Sequence, residues 1–95
     1  MKFKDFTKEE RTSIAEFVLA YENDVFIKTD GNKMINIFLS KEIISKEDSI
    51  NLTSKLENNI NLSEELIEIL FSNFEVKVGK NIMDEYAYDN FKQDN

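Results

Sequence analysis

Two rhythms of apolar and polar positions run along this chain. The first is helical. Thr7-Lys8-Glu9-Glu10 has the form of a capping box, in which a Thr hydroxyl serves an orphan amide and a Glu three residues on reaches back to the cap. Ile14, Phe17, Val18 and Tyr21 follow at i, i+3, i+4 and i+7, which places them on one helix face. The spacing predicts a helix over 8–22, ended by Asn23-Asp24.

The second rhythm is that of a strand. Val25-Phe26-Ile27-Lys28-Thr29, then Asp30-Gly31-Asn32, then Met34 to Leu39 reads as a β-hairpin, because Gly accepts a positive φ in the turn without steric cost. A three-residue loop pairs Ile27 with Ile35 and Val25 with Ile37, matching apolar faces. A two-residue loop pairs Val25 with Asn36 and is the poorer choice. Phe26, Met34 and Phe38 then point to the opposite face, which needs a cover of its own.

Ser45-Lys46-Glu47-Asp48 opens a second helix over 46–59, with Leu52, Leu56 and Ile60 as a narrow stripe and Asn51, Asn58 and Asn59 as weak helix formers. Ser63 reads as the cap of a third helix over 64–73. Leu62 and Ile67 stand at the two positions of a hydrophobic staple, and Leu66, Ile67, Leu70, Phe71 and Phe74 form the apolar face. Phe74 to Val78 alternates and reads as a third strand, stopped at Gly79. Asn81 or Asp84 starts a last helix carrying Ile82, Met83, Tyr86, Ala87 and Phe91, with 92–95 as a frayed tail. The order α-β-β-α-α-β-α predicts an α+β fold: a small three-stranded antiparallel sheet, one hairpin plus a later strand, covered by three to four helices. No repeat or linker interrupts it, so residues 1–95 are expected to form a single small acidic globular domain.

Composition narrows the chemistry. The 95 residues include no His, Cys, Pro or Trp, but eight Phe and eleven Ile. A chain of this size buries one modest core. Without His or Cys there is no Ser–His or Cys–His nucleophile, and no soft metal site for zinc, copper or iron–sulfur. Acid–base work falls to Glu, Asp, Lys or Tyr. Glu64, Glu65 and Glu68 lie at the start of a helix, where acids favour the dipole, and read first as structural. The only glycines, Gly31 and Gly79, form no phosphate-cradling loop. Asp24 and Asp30 are separated by apolar residues and do not spell a calcium loop. The sequence therefore predicts no enzyme, no cofactor and no metal.

Charge adds a partner. The net charge is −7, unevenly spread: residues 1–48 hold eight basic and ten acidic side chains, residues 49–95 four and nine. Such a surface repels phosphate backbones and attracts basic proteins, so no direct nucleic-acid binding is expected. The plainer reading is that acidity keeps a small domain soluble. No apolar run is long enough for a signal peptide or a membrane span, so a cytoplasmic location is expected.

One segment interleaves acids with aromatics. Asp84, Glu85, Tyr86, Tyr88, Asp89 and Phe91 are the candidate partner-binding residues, since Tyr and Phe supply contact area at low entropy cost and acids suit a basic groove. The competing reading is a C-terminal helix with Tyr86 and Phe91 in the core and solvated acids. Glu22, Asp24 and Asp30 also collect at one end of the first helix, where they read as caps and turn.

These features converge on a non-enzymatic acidic inhibitor. Its carboxylates would act as phosphate mimics and block the basic surface of a nucleic-acid-handling enzyme or nuclease. In general character the chain is similar to phage-encoded inhibitors of host defence, anti-CRISPR proteins among them; the likeness is of type and no family motif carries it. Eleven Lys to one Arg, with eleven Asn and eleven Ile, points to an AT-rich genome. The alternatives are an immunity protein that neutralises a bacterial toxin, and a module that self-associates through Phe26, Phe38 or the C-terminal aromatics.

Overall fold

The computed structural model describes residues 3–73, and all regular structure among them is helical. A 3-10 turn over Phe3–Asp5 leads into α1 (Lys8–Glu22), α2 (Lys28–Ser40), α3 (Lys46–Glu57) and α4 (Ser63–Asn73). The expected α+β fold is corrected by this: the described residues contain no strand, and they form a small bundle of four helices. The strand expected at 74–78, the last helix and the candidate residues from Asp84 to Phe91 lie outside the described residues.

α1 forms as its capping box predicts. Thr7 Oγ1 accepts the Glu10 amide at 3.1 Å, and Glu10 Oε1 accepts the Thr7 amide at 2.8 Å. Ile14, Phe17 and Val18 are buried and Tyr21 is half-buried at the edge of the same face.

The hairpin is replaced by α2. Asp30 falls in the first helical turn, where its carboxylate suits the dipole, and Gly31 is not a turn residue at all. Gly31 is buried beneath the Phe26 ring; a Cβ there would lie 2.8 Å from Phe26 Cζ and 3.3 Å from Leu56 Cδ1. Phe26 and Gly31 stand in the two positions of a hydrophobic staple, and the missing side chain lets the ring rest on backbone. Met34, Ile35, Ile37 and Phe38 are all buried. A strand would send alternate members to opposite faces, whereas the i, i+1, i+3, i+4 spacing gathers all four on one broad helical face. That breadth is needed because α2 packs against α1, α3 and α4 together.

α3 opens as expected, with Ser45 accepting the Asp48 amide at 3.0 Å, and buries Leu52 and Leu56. It stops at Glu57, so Ile60 leaves the predicted stripe and is 46% exposed in the loop. The start of α4 differs in detail. Asn61 Oδ1 accepts both the Ser63 amide at 2.9 Å and the Ser63 hydroxyl at 2.7 Å, so Asn61 serves the helix start and the Ser63 hydroxyl is a donor. Leu62 and Ile67 are both buried, but the helix begins at Ser63 and the Leu66 amide donates to the Leu62 carbonyl, so Leu62 is the cap residue and the pair does not stand at the staple positions.

Three helices end alike. Asp24, Glu42 and Asn59 adopt positive φ of 56°, 59° and 61° after α1, α2 and α3. The next residue in each case sends its amide back five residues: Val25 to Ala20 at 2.9 Å, Ile43 to Phe38 at 2.9 Å, Ile60 to Lys55 at 3.1 Å. These are Schellman ends, built without glycine and followed each time by an aliphatic residue.

Candidate functional site

α1 stops and α4 starts at the same pole of the bundle, and the two helices bring carboxylates together around one aromatic ring. Tyr21 comes from the last turn of α1 and Glu64 from the first turn of α4, 43 positions later. The Tyr21 hydroxyl donates towards both Glu64 carboxylate oxygens at 3.3 Å. On one side of the ring lies an open groove of about 470 Å³, floored by Ile67 and Phe71 and edged by Glu64 and Glu68. On the other side a depression of about 460 Å³ is edged by Glu22, Asp24, Val25 and Asn61. Tyr21 and Glu64 line both.

Each side chain has a local reason to be there. Glu64 sits where a helix dipole welcomes an anion. Asp24 holds the left-handed position that ends α1, a conformation Asp tolerates better than most residues. Tyr21 is the last member of the α1 core stripe, half in the core and half against water. Burial of the phenol, then the negative charges of Glu64 and Asp24, push its pKa above the ordinary 10.0.

Glu22, Asp24, Glu64 and Glu68 are all exposed. They offer acceptors to a cation, arranged on both sides of an aromatic ring against an apolar floor, which is the composition of a contact site for basic side chains. Among the described residues no group of three or more acids is close enough to share a metal ion, and no helix is long and apolar enough to cross a membrane.

No protein family, curated protein or solved structure matches this chain. The site therefore rests on its own chemistry. Of the sequence-predicted acids, Glu22 and Asp24 do gather at this pole, while Asp30 is taken into the first turn of α2. Tyr21 and Glu64 were legible only separately, one as a core residue and one as a first-turn acid. The three Schellman ends did leave a signal: Asn23-Asp24-Val25, Lys41-Glu42-Ile43 and Asn58-Asn59-Ile60 each place a polar pair before an aliphatic residue at a helix end.

Proposed function

We propose that this protein is a non-enzymatic acidic inhibitor that covers a basic, nucleic-acid-binding surface of a partner enzyme in the cytoplasm, with its carboxylates in the place of phosphates. The observation that carries this reading is the Tyr21 ring walled by Glu22, Asp24, Glu64 and Glu68 on a chain of net charge −7. Acidic rims steer a basic partner at long range, and a part-buried aromatic supplies the short-range anchor. The acids and aromatics from Asp84 to Phe91 belong to the same proposal as a second contact region.

Capture from a low-GC bacterial lysate tests it. The bait is compared with a bait in which Glu22, Glu64 and Glu68 become Gln and Asp24 becomes Asn, at low and high salt. A basic nucleic-acid enzyme held by the first bait at low salt, lost at high salt and lost from the neutralised bait is the expected result. The purified enzyme should then be inhibited by this protein. A captured toxin nuclease would make the inhibitor an immunity protein. Capture that ignores both salt and neutralisation would overturn the phosphate-mimic reading.

A further inference from the structure

The pole that carries the acids also carries aliphatic side chains left out of the core. The three Schellman ends serve as an internal comparison. After α2, at the other pole, Ile43 is half-buried and packs on the core cluster. After α1 and α3 the equivalent residues, Val25 and Ile60, are 48% and 46% exposed. The same local motif thus folds its aliphatic residue inward at one pole and leaves it outward at the other. A fourth observation falls at the same pole. Ile27 occupies the N-cap position of α2, is 46% exposed, and gives no side-chain hydrogen bond to the helix start. Ser, Thr, Asp or Asn satisfy that position better, so an exposed Ile there serves neither the core nor the helix.

Val25 and Ile60 lie in adjoining depressions, and Ile27 stands two residues after Val25 in the same loop. Val25 and Asn61 edge one depression, while Phe26, Ile60 and Asn61 edge the next, so the α1–α2 and α3–α4 loops lie side by side. The remaining large exposed aliphatics among the described residues, Leu19, Leu39 and Ile50, lie singly within helices, and scattered residues of that kind are ordinary. Glu22, Asp24 and Glu64 line the first depression, beside Val25, and Lys28 is the charged residue of the second, beside Ile60. A second copy of this chain seated on the first depression would set its three acids against three acids. A cationic segment would not.

We propose that this pole is the specificity-determining half of the inhibitor surface, and that Val25, Ile27 and Ile60 receive aliphatic side chains of a Lys/Arg-rich amphipathic segment of the partner. The inference rests on the acidic-binder reading and narrows it: charge alone attracts, and the aliphatic cluster chooses among basic surfaces by demanding an apolar stripe between the cations.

Two labelled peptides test it: an amphipathic helix of Lys and Leu, and an oligolysine with the same number of Lys. Affinities are measured at physiological salt by fluorescence anisotropy, with amide shifts mapped by NMR. The Lys/Leu peptide should bind about tenfold tighter than oligolysine, the ratio that burying one or two aliphatic methylenes yields. Its shifts should centre on Val25, Ile27 and Ile60. The double variant Ile27→Ser with Ile60→Ser should bring that ratio to about one while leaving oligolysine binding unchanged, because no charge is altered. Both changes are at exposed positions, Ser is a better N-cap, and a thermal melt confirms the fold. Equal binding of the two peptides to the unaltered protein, or shifts centred on Leu19 or Ile50, would overturn the inference and leave the acidic-binder reading standing. Dimerisation of the protein alone that Ile27→Ser abolishes would overturn it in favour of a second copy. Binding of neither peptide would remove the acidic-binder reading, and the inference with it.

Discussion

Replacing Gly31 by Ala sets two forces against each other at one atom. In an exposed helix interior, Gly to Ala stabilises by about 1 kcal/mol because the backbone loses less freedom on folding. Here the new methyl would stand 2.8 Å from Phe26 Cζ and 3.1 Å from Cε1, closer than carbon atoms pack. The ring is half-buried and carries the contact at its tip, so it can swing outward. Moving it off its rotamer costs about 0.5–1.5 kcal/mol, and it also loses part of its contact with Leu56 and the α2 backbone. The two effects nearly cancel, so Gly31→Ala alone should change stability by under about 1 kcal/mol and most readily downward. In a Phe26→Ala background the obstruction is gone. Only Leu56 Cδ1 at 3.3 Å remains, and it yields by a few tenths of an ångström. There Gly31→Ala should stabilise by nearly the full ~1 kcal/mol of helix propensity. Urea unfolding of the four proteins, followed by circular dichroism and extrapolated linearly, measures the coupling, expected at about 1–2 kcal/mol. A coupling below about 0.5 kcal/mol, with Gly31→Ala stabilising both backgrounds equally, would refute the ring-on-backbone contact.

Glu42 holds a positive φ without being Gly, Asn or Asp, so Glu42→Gly should stabilise by about 0.5–1 kcal/mol and Asn59→Gly by less, measured by thermal melting. Ile27→Ser should raise stability by about 1 kcal/mol by giving α2 the cap it lacks; a loss would mean the Ile27 side chain packs more than its exposure indicates. Burial alone would raise the Glu10 carboxyl, but the Thr7 amide and the Lys41 ammonium at 3.2 Å outweigh it and hold its pKa below the ordinary 4.5. A lowered folded pKa contributes stability above the unfolded pKa and loses it as pH falls through the folded one. The stability difference between the unaltered protein and Glu10→Gln should therefore shrink between about pH 5 and pH 3, and a constant difference would contradict the assignment. In a variant with Tyr86→Phe and Tyr88→Phe, the ultraviolet titration of Tyr21 should lie above that of free tyrosine, and Glu64→Gln should lower it.

Helices that begin with a polar cap were legible in the sequence, because capping boxes and first-turn acids are local chemistry. α1 and the start of α3 follow from Thr7, Glu10, Ser45 and Asp48 alone. α2 was not legible for the opposite reason. It has no side-chain cap, it is preceded by the strand-forming run Val25-Phe26-Ile27, and its Asp30-Gly31 pair copies a hairpin turn. The hairpin reading did contain its own warning. It left Phe26, Met34 and Phe38 on a second apolar face with nothing to cover it, and the bundle resolves this by covering Met34, Ile35, Ile37 and Phe38 together. The candidate site was legible only in its parts. Charge pattern marks Glu22 and Asp24 as neighbours in sequence, but nothing local announces that Tyr21 and Glu64 meet across 43 positions. Ile27 was misread because the run Val25-Phe26-Ile27 looks like strand, and only the helix start that follows makes it an odd choice.

The central place of α2 bears on how the chain reaches its fold. Thr29, Asp30, Gly31, Asn32, Asn36 and Ser40 are poor helix formers, and Ile35 and Ile37 are β-branched, so by itself this stretch has little reason to coil. Yet it is the helix on which α1, α3 and α4 all rest. α1 and α3, with their caps, can flicker into shape from local interactions, while α2 waits until both offer it a surface. Order in the middle is borrowed from the periphery and lent back to it. Such an arrangement has no stable half: the described bundle assembles as one event, and a truncation that removes either flanking helix dissolves the centre as well.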